Sequence, residues 1–190
     1  MKSVILIFTF AILAIHVHSQ EIEVLQGTKT MKEGSYNAFS IEFDEIEKDV
    51  AEDGWKKYID QFKGKVKSDK KANLLFSDNV QIPGLSSNPV DVYVMISKNG
   101  KNGSYVSVWF DTGNGYVNSI DMEPQSITAK AMVKEYALSI LKDAADQKLK
   151  DEEKILSDLN NDLTKLNDKN NDDSFSWQLA YYRYLVREGP

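Results

Sequence analysis

Across residues 90–118, apolar and polar positions alternate through three runs separated by Asn-Gly turns. The run V-D-V-Y-V-M-I-S-K meets N-G-K-N-G. S-Y-V-S-V-W-F-D follows, then T-G-N-G and Y-V-N. A period of two broken by Asn-Gly predicts strand, turn, strand, turn, strand, an antiparallel meander. Val90, Val92, Val94 and Ile96 share one face, as do Val106, Val108 and Phe110 in the next run. Tyr93 and Met95, then Tyr105 and Trp109, take the other face. Two apolar faces predict central strands. With helices on one face only, Tyr93, Tyr105 and Trp109 form a partly exposed aromatic patch, a candidate binding surface. The alternative is that the N-terminal lead-in or the C-terminal tail covers it.

Upstream, residues 21–32 are polar without a period and predict a lead-in with a short edge strand. Phe39, Ile41 and Phe43 alternate with Ser40 and Glu42, a half-buried strand. Asp44 with Glu47 has capping-box spacing. The helix that follows is predicted to run to about Phe62 and stop at Gly64. Ile46, Val50, Trp55, Tyr58, Ile59 and Phe62 fall on its apolar face. That spacing makes Trp55 and Tyr58 core anchors rather than a ligand platform. Lys63, Lys65, Lys67, Lys70 and Lys71 mark a solvated basic loop; the sharper reading is a landing place for an anionic ligand or polysaccharide. Residues 74–76 and 80–82 predict short strands, with Pro83-Gly84 and residues 86–89 as loop.

From Pro124 the period lengthens to that of a helix. Ile127, Val133, Tyr136, Ala137, Ile140, Leu141 and Ala144 form the stripe expected to dock on the sheet. Beyond Gln147 the pattern becomes heptads: Leu149, Leu156, Leu159, Leu163 and Leu166 at a and d, with Glu152 at one d. This segment reaches past the sheet as a short coiled-coil arm. Its seam needs a second helix, from the same chain or another. Residues 167–173, N-D-K-N-N-D-D, predict a break. They have the look of a calcium loop but lack its glycine and its closing glutamate, so a solvated turn is the reading. The aromatic tail that follows contains Trp177, Tyr181, Arg183 and Arg187 and is too short to span a membrane. It is open to three readings: a helix folded back on the leucines, an interfacial anchor, or a terminus unrelated to the fold.

Organisation follows: leader 1–19, polar lead-in 20–34, α+β domain 35–147, heptad arm 148–173, aromatic tail 174–190. The fold class is α+β, an antiparallel sheet with helices on one face and a long C-terminal helix extending as the arm. The leader has Lys2, an apolar run over residues 4–15 and Val17-His18-Ser19 before Gln20. That is the form of a secretory signal peptide, with a buried N-terminal strand as the plain alternative. It predicts export, to the periplasm or the outside of the cell.

The chain has no cysteine, and its two histidines, His16 and His18, lie in the leader. Ser-His and Cys-His nucleophile pairs are excluded, as are imidazole or thiolate zinc sites. An exported chain without disulfides fits a bacterial source, where the Asn102-Gly103-Ser104 sequon is without meaning. The formal charge is −6, and loss of Lys2 with the leader makes it one unit more negative. An acidic chain is a poor nucleic-acid partner. No phosphate-binding glycine loop, cofactor motif or metal site is present.

The sharpest chemical motif is Asp111-Thr112-Gly113 at the end of an apolar strand, the manner in which aspartic proteases present their catalytic Asp. One copy needs a homodimer so that two carboxylates share a proton. The following Asn114-Gly115 offers the plainer reading of a tight hairpin. Asp91, Asp121 and Glu123 are further carboxylates that sequence places in no pair.

N-A-F-S-I-E-F, W-K-K-Y-I-D-Q-F-K-G-K-V-K and V-S-V-W-F-D-T-G-N-G-Y together resemble an exported family of the Bacteroidetes type, over roughly residues 35–166. The resemblance implies a small α+β domain with a leucine-heptad arm and brings no catalytic residue with it. The aromatic end departs from the charged coiled-coil continuation of that family. The reading is an exported, non-catalytic protein that binds a protein or envelope partner, or itself, through arm and sheet face. The alternative is a homodimeric DTG hydrolase.

Overall fold

The computed structural model of the protein describes residues 22–187 except residue 70. The leader lies outside the described residues. Eight elements follow in order: β1 (Leu25–Met31), β2 (Gly34–Phe43), α1 (Lys48–Asp60), β3 (Lys65–Asp69), β4 (Leu74–Val80), β5 (Val90–Asn99), β6 (Gly103–Asp111) and α2 (Glu123–Arg187). The strands form one antiparallel sheet in the order β1-β2-β6-β5-β4-β3. Helix α1 carries the chain from the first hairpin to the far edge. A meander then returns until β6 pairs with β2, closing the sheet at its centre. The α+β class, the antiparallel sheet and the long final helix are as the pattern predicts.

Both helices cover one face. Phe39, Ile41, Val92, Val94, Val106, Val108 and Phe110 point into this layer, where Trp55, Ile59, Val133, Tyr136 and Ile140 meet them. Trp55 packs edge-on against Tyr136, with ring centroids 4.9 Å apart and planes at 78°. The Tyr136 hydroxyl donates to the Ala51 carbonyl at 2.8 Å and ties α2 to α1.

Several expectations are corrected. The N-cap of α1 is Glu47, not Asp44, and makes no side-chain cap bond. Val50 is 50% exposed and Ala51 is buried in its place, because Ala51, four residues before Trp55, shares its face while Val50, five before, lies about 140° around the helix. The left-handed residue that ends α1 is Lys63, at φ 62°, one before Gly64; the Gly64 N–H donates to the Ile59 carbonyl at 3.2 Å. Ile127 is 64% exposed, with Ala129 and Met132 buried instead.

The basic loop is in fact edge strand β3, paired to β4 from Lys65↔Asp78 to Asp69↔Leu74. Lysines on an edge hinder pairing with a second sheet. The two short strands of residues 74–82 are one strand, β4, with an irregularity between Ser77 and Val80. Asn79 sits there at φ 56°, a conformation asparagine tolerates. The third run of the meander is not a strand. It makes one isolated bridge, Asp111↔Tyr116, and a bond from the Val117 N–H to the Phe110 carbonyl at 2.9 Å, at the short end of β6 that β2, paired with Ser104–Val108, leaves open.

Residues 167–173 are not a break. α2 runs unbroken through them for 65 residues. Trp177 and Tyr181 therefore continue away from the leucines rather than fold back on them. Leu159 and Trp177 are about 27 Å apart along the axis at 1.5 Å per residue.

Candidate functional site

Two surfaces carry the side chains singled out by the sequence: the outer half of α2 and the sheet face away from the helices.

α2 docks through Val133, Tyr136, Ala137 and Ile140, with Leu141 and Ala144 at the rim. Every side chain described from residue 145 onward is exposed. The free portion projects about 65 Å at helical rise. Leu149, Leu156, Leu159, Leu163 and Leu166 lie along it, Leu163 at 65% exposure. At 3.6 residues per turn, Leu149, Leu156 and Leu163 sit roughly 130–170° around the axis from the docked stripe. Leu159 and Leu166 sit roughly 70–90° around, so the seam runs along the flank and back of α2, clear of the docked stripe and open to a second helix. Leu138, 51% exposed and two heptads before Glu152, carries the same seam back beside the domain.

Because the helix is continuous, the heptad phase extends further than sequence reading carried it. Counting sevens from Leu149 gives Leu156, Leu163, Asn170, Trp177 and Tyr184 at a. Counting from Glu152 gives Leu159, Leu166, Asp173, Ala180 and Arg187 at d. Trp177, at 77% exposure, and Tyr184 belong to the seam. The spacing of fourteen from Leu163 to Trp177 was the available signal, hidden by the polar run between them.

The second surface differs from expectation in one respect. Trp109 is 0% exposed. Met31 and Ala38 of the first hairpin are buried with it, and Tyr36, Tyr93, Met95 and Tyr116 pack over the group. Its indole N–H donates to the Tyr36 carbonyl at 3.3 Å. Trp109 is therefore a second, smaller core and not part of an exposed patch. Tyr93 and Tyr105 remain half-buried. Tyr116 stacks on Tyr36 at 3.9 Å, Tyr93 lies 6.2 Å from Tyr116, and Phe76 lies 4.8 Å from Tyr93. This row of rings crosses the sheet. Sequence reading missed Tyr36 and Tyr116, although Tyr36 stands two residues before Ala38 on the same face of β2.

Burial, followed by the charges of Asp91 and Asp111, holds the Tyr93 hydroxyl above its usual range. Burial and then the neighbouring Tyr93 and Asp111 push Tyr116 further up. For Tyr105, burial acts upward, but hydrogen bonds with Ser40 and Lys29 and the nearby Lys29 charge prevail and hold it below. The Lys29 ammonium sits 4.9 Å from the centre of the Tyr105 ring, a cation–π contact.

Asp111 caps its own turn. Its Oδ1 accepts from the Gly113 N–H at 2.9 Å, while the Thr112 N–H and hydroxyl reach the Gly115 carbonyl at 3.1 and 3.0 Å. Asp91 lies directly opposite Asp111 in register, and its Oδ1 accepts from the Asn79 N–H at the β4 irregularity, 3.0 Å. Asp121 and Glu123 lie at the start of α2, apart from this pair. Among the described residues no group of three or more acidic or imidazole side chains is arranged to hold a metal ion, and no helix is long and apolar enough to cross a membrane. Comparison of the chain with family models, curated proteins and solved structures finds no match.

Proposed function

We propose that the protein is an exported, non-catalytic binding protein that engages a protein or envelope partner through its helical arm, with the half-buried tyrosines of the sheet face as a second surface. The observation that carries this reading is the free half of α2. Its leucine seam is exposed along a continuous helix and packs against nothing in the sheet domain. Burying one leucine side chain is worth about 1.5–3 kcal/mol. A single helix rich in Asn and Asp is marginal without packing, so a partner supplies it. Export rests on the leader of residues 1–19, and the Bacteroidetes-type resemblance agrees with an envelope setting.

The use of Asp111 as a turn acceptor supports the non-catalytic reading over the DTG hydrolase. Affinity capture from the source envelope tests it, with wild type beside Leu156→Asp/Leu163→Asp. The partner is expected to be retained by wild type and lost by the variant. Equal capture by both overturns the arm. Acid proteolysis by the purified chain that disappears in Asp111→Asn overturns the non-catalytic reading.

A further inference from the structure

The arm's geometry points to one occupant: we infer that the seam of α2 pairs with a second copy of itself, in a parallel, in-register, two-stranded coiled coil. This rests on the reading of the arm as an interaction element and names its partner.

Four observations carry it. The leucine block Leu156, Leu159, Leu163 and Leu166 is self-complementary, since in-register pairing sets each leucine against its own copy. Asn170 occupies an a position one heptad beyond Leu163. A lone asparagine at a is satisfied by the same asparagine across a parallel dimer, and it selects register and two strands at some cost in stability.

The flanking charges agree. Lys148 at g falls against Glu153 at e of the partner helix, and the later g–e pairs, Ile155–Asn160, Asp162–Asn167 and Lys169–Ser174, contain no like charges. The antiparallel arrangement that opposes Leu156 to Leu166 and Leu159 to Leu163 instead sets Asp162 against its own copy and Asn170 against Glu152. Finally, the seam lies outside the docked stripe of α2, its a leucines on the far side from the sheet and its d leucines on the flank. Two domains then sit on the outside of the pair at one end, clear of each other. In register, Glu152 and Asp173 at d each meet their own copy at the two ends of the leucine block, a like-charge cost that keeps the association reversible and that the asparagine and leucine layers between them offset.

The absence of cysteine makes the test clean, because any introduced thiol is the sole one. The full mature chain is studied by sedimentation equilibrium and by disulfide trapping of Leu163→Cys and, separately, of Lys154→Cys at an outward f position. The expected result is a monomer–dimer equilibrium, rapid trapping of Leu163→Cys as a dimer and little trapping of Lys154→Cys. Asn170→Leu is expected to tighten the dimer roughly tenfold while admitting higher oligomers. A chain that stays monomeric at about 100 μM overturns the inference. So does trapping no faster at Leu163→Cys than at Lys154→Cys, the antiparallel outcome. A monomer that still loses its envelope partner on Leu156→Asp/Leu163→Asp removes the homodimer but leaves the proposed function standing.

Discussion

Asp91 and Asp111 stand directly opposite each other across β5 and β6, on the sheet face away from the helices. Each is held there by an acceptor role, Asp91 toward the Asn79 N–H and Asp111 toward the Gly113 N–H. Like charges directly opposite in a sheet cost about 0.2–1 kcal/mol. Asp91→Asn keeps an oxygen for the Asn79 N–H and removes one charge. Its urea midpoint at neutral pH and low salt is expected to rise accordingly. Asp91→Ala, which loses the acceptor as well, is expected to move the other way. A drop in both variants shows that the hydrogen bond, not the repulsion, governs this pair.

The bond from Tyr136 to the Ala51 carbonyl joins the two helices inside the core. Tyr136→Phe retains the ring edge-on against Trp55 and loses the hydroxyl. Urea denaturation at pH 7 is expected to show a loss of about 1 kcal/mol; no loss means the hydroxyl contributes nothing to helix docking.

The same hydroxyl makes stability depend on alkaline pH. Burial and then the charge of Glu52 raise its ionisation well above that of an unfolded tyrosine. Tyr58, raised by burial and by Glu135, and Tyr116 act in the same direction. Above about pH 10 the unfolded tyrosines release protons that the folded ones keep. The unfolded state then binds fewer protons, and stability falls as pH rises. This stabilisation is fully present below pH 10. Urea midpoints at pH 8, 10 and 11 should decline beyond pH 10, and less steeply in Tyr136→Phe. Parallel declines in the two proteins remove Tyr136 as a contributor.

Gly54 lies where α1 crosses α2. A methyl group there would stand 2.6 Å from Cγ1 of Ile140, which is 3% exposed. Gly54→Ala improves helix propensity by about 1 kcal/mol, but overpacking a filled core costs about 1–3 kcal/mol. The expected sign is a net loss, read as a lowered melting temperature. A gain in stability shows that Ile140 rotates away freely.

The arm makes no described packing contact with the sheet domain beyond Ala144. Ending the chain after Gln147 is expected to leave the domain's near-ultraviolet circular dichroism intact and its urea midpoint, measured at low concentration, within a few tenths of a kcal/mol. The far-ultraviolet helix signal should fall sharply. A destabilised domain would falsify the view of the arm as independent of the fold.

Local periodicity by itself determined the β5–β6 hairpin, the half-buried strand β2, both helices and the leucine seam. Period two, Asn-Gly turns and 3.6- or 3.5-residue spacing act between near neighbours, so they are legible in the chain. What depends on distant neighbours was decided only by the tertiary structure. β3 is a strand because β4 lends Lys65–Asp69 a hydrogen-bonding edge, which five residues with one apolar side chain do not announce. Residues 116–118 have strand character but only the last residues of β6 to pair with, because β2 claims that side of β6 as far as Val108 from more than sixty residues upstream. Trp109 has the position of an exposed ring, and the β1–β2 hairpin buries it. The polar run at residues 167–173 has the composition of a turn, yet without Gly or Pro each residue costs the helix only about 0.7 kcal/mol or less. α2 continues through it, and that continuity places Asn170, Trp177 and Tyr184 on the same seam as the leucines.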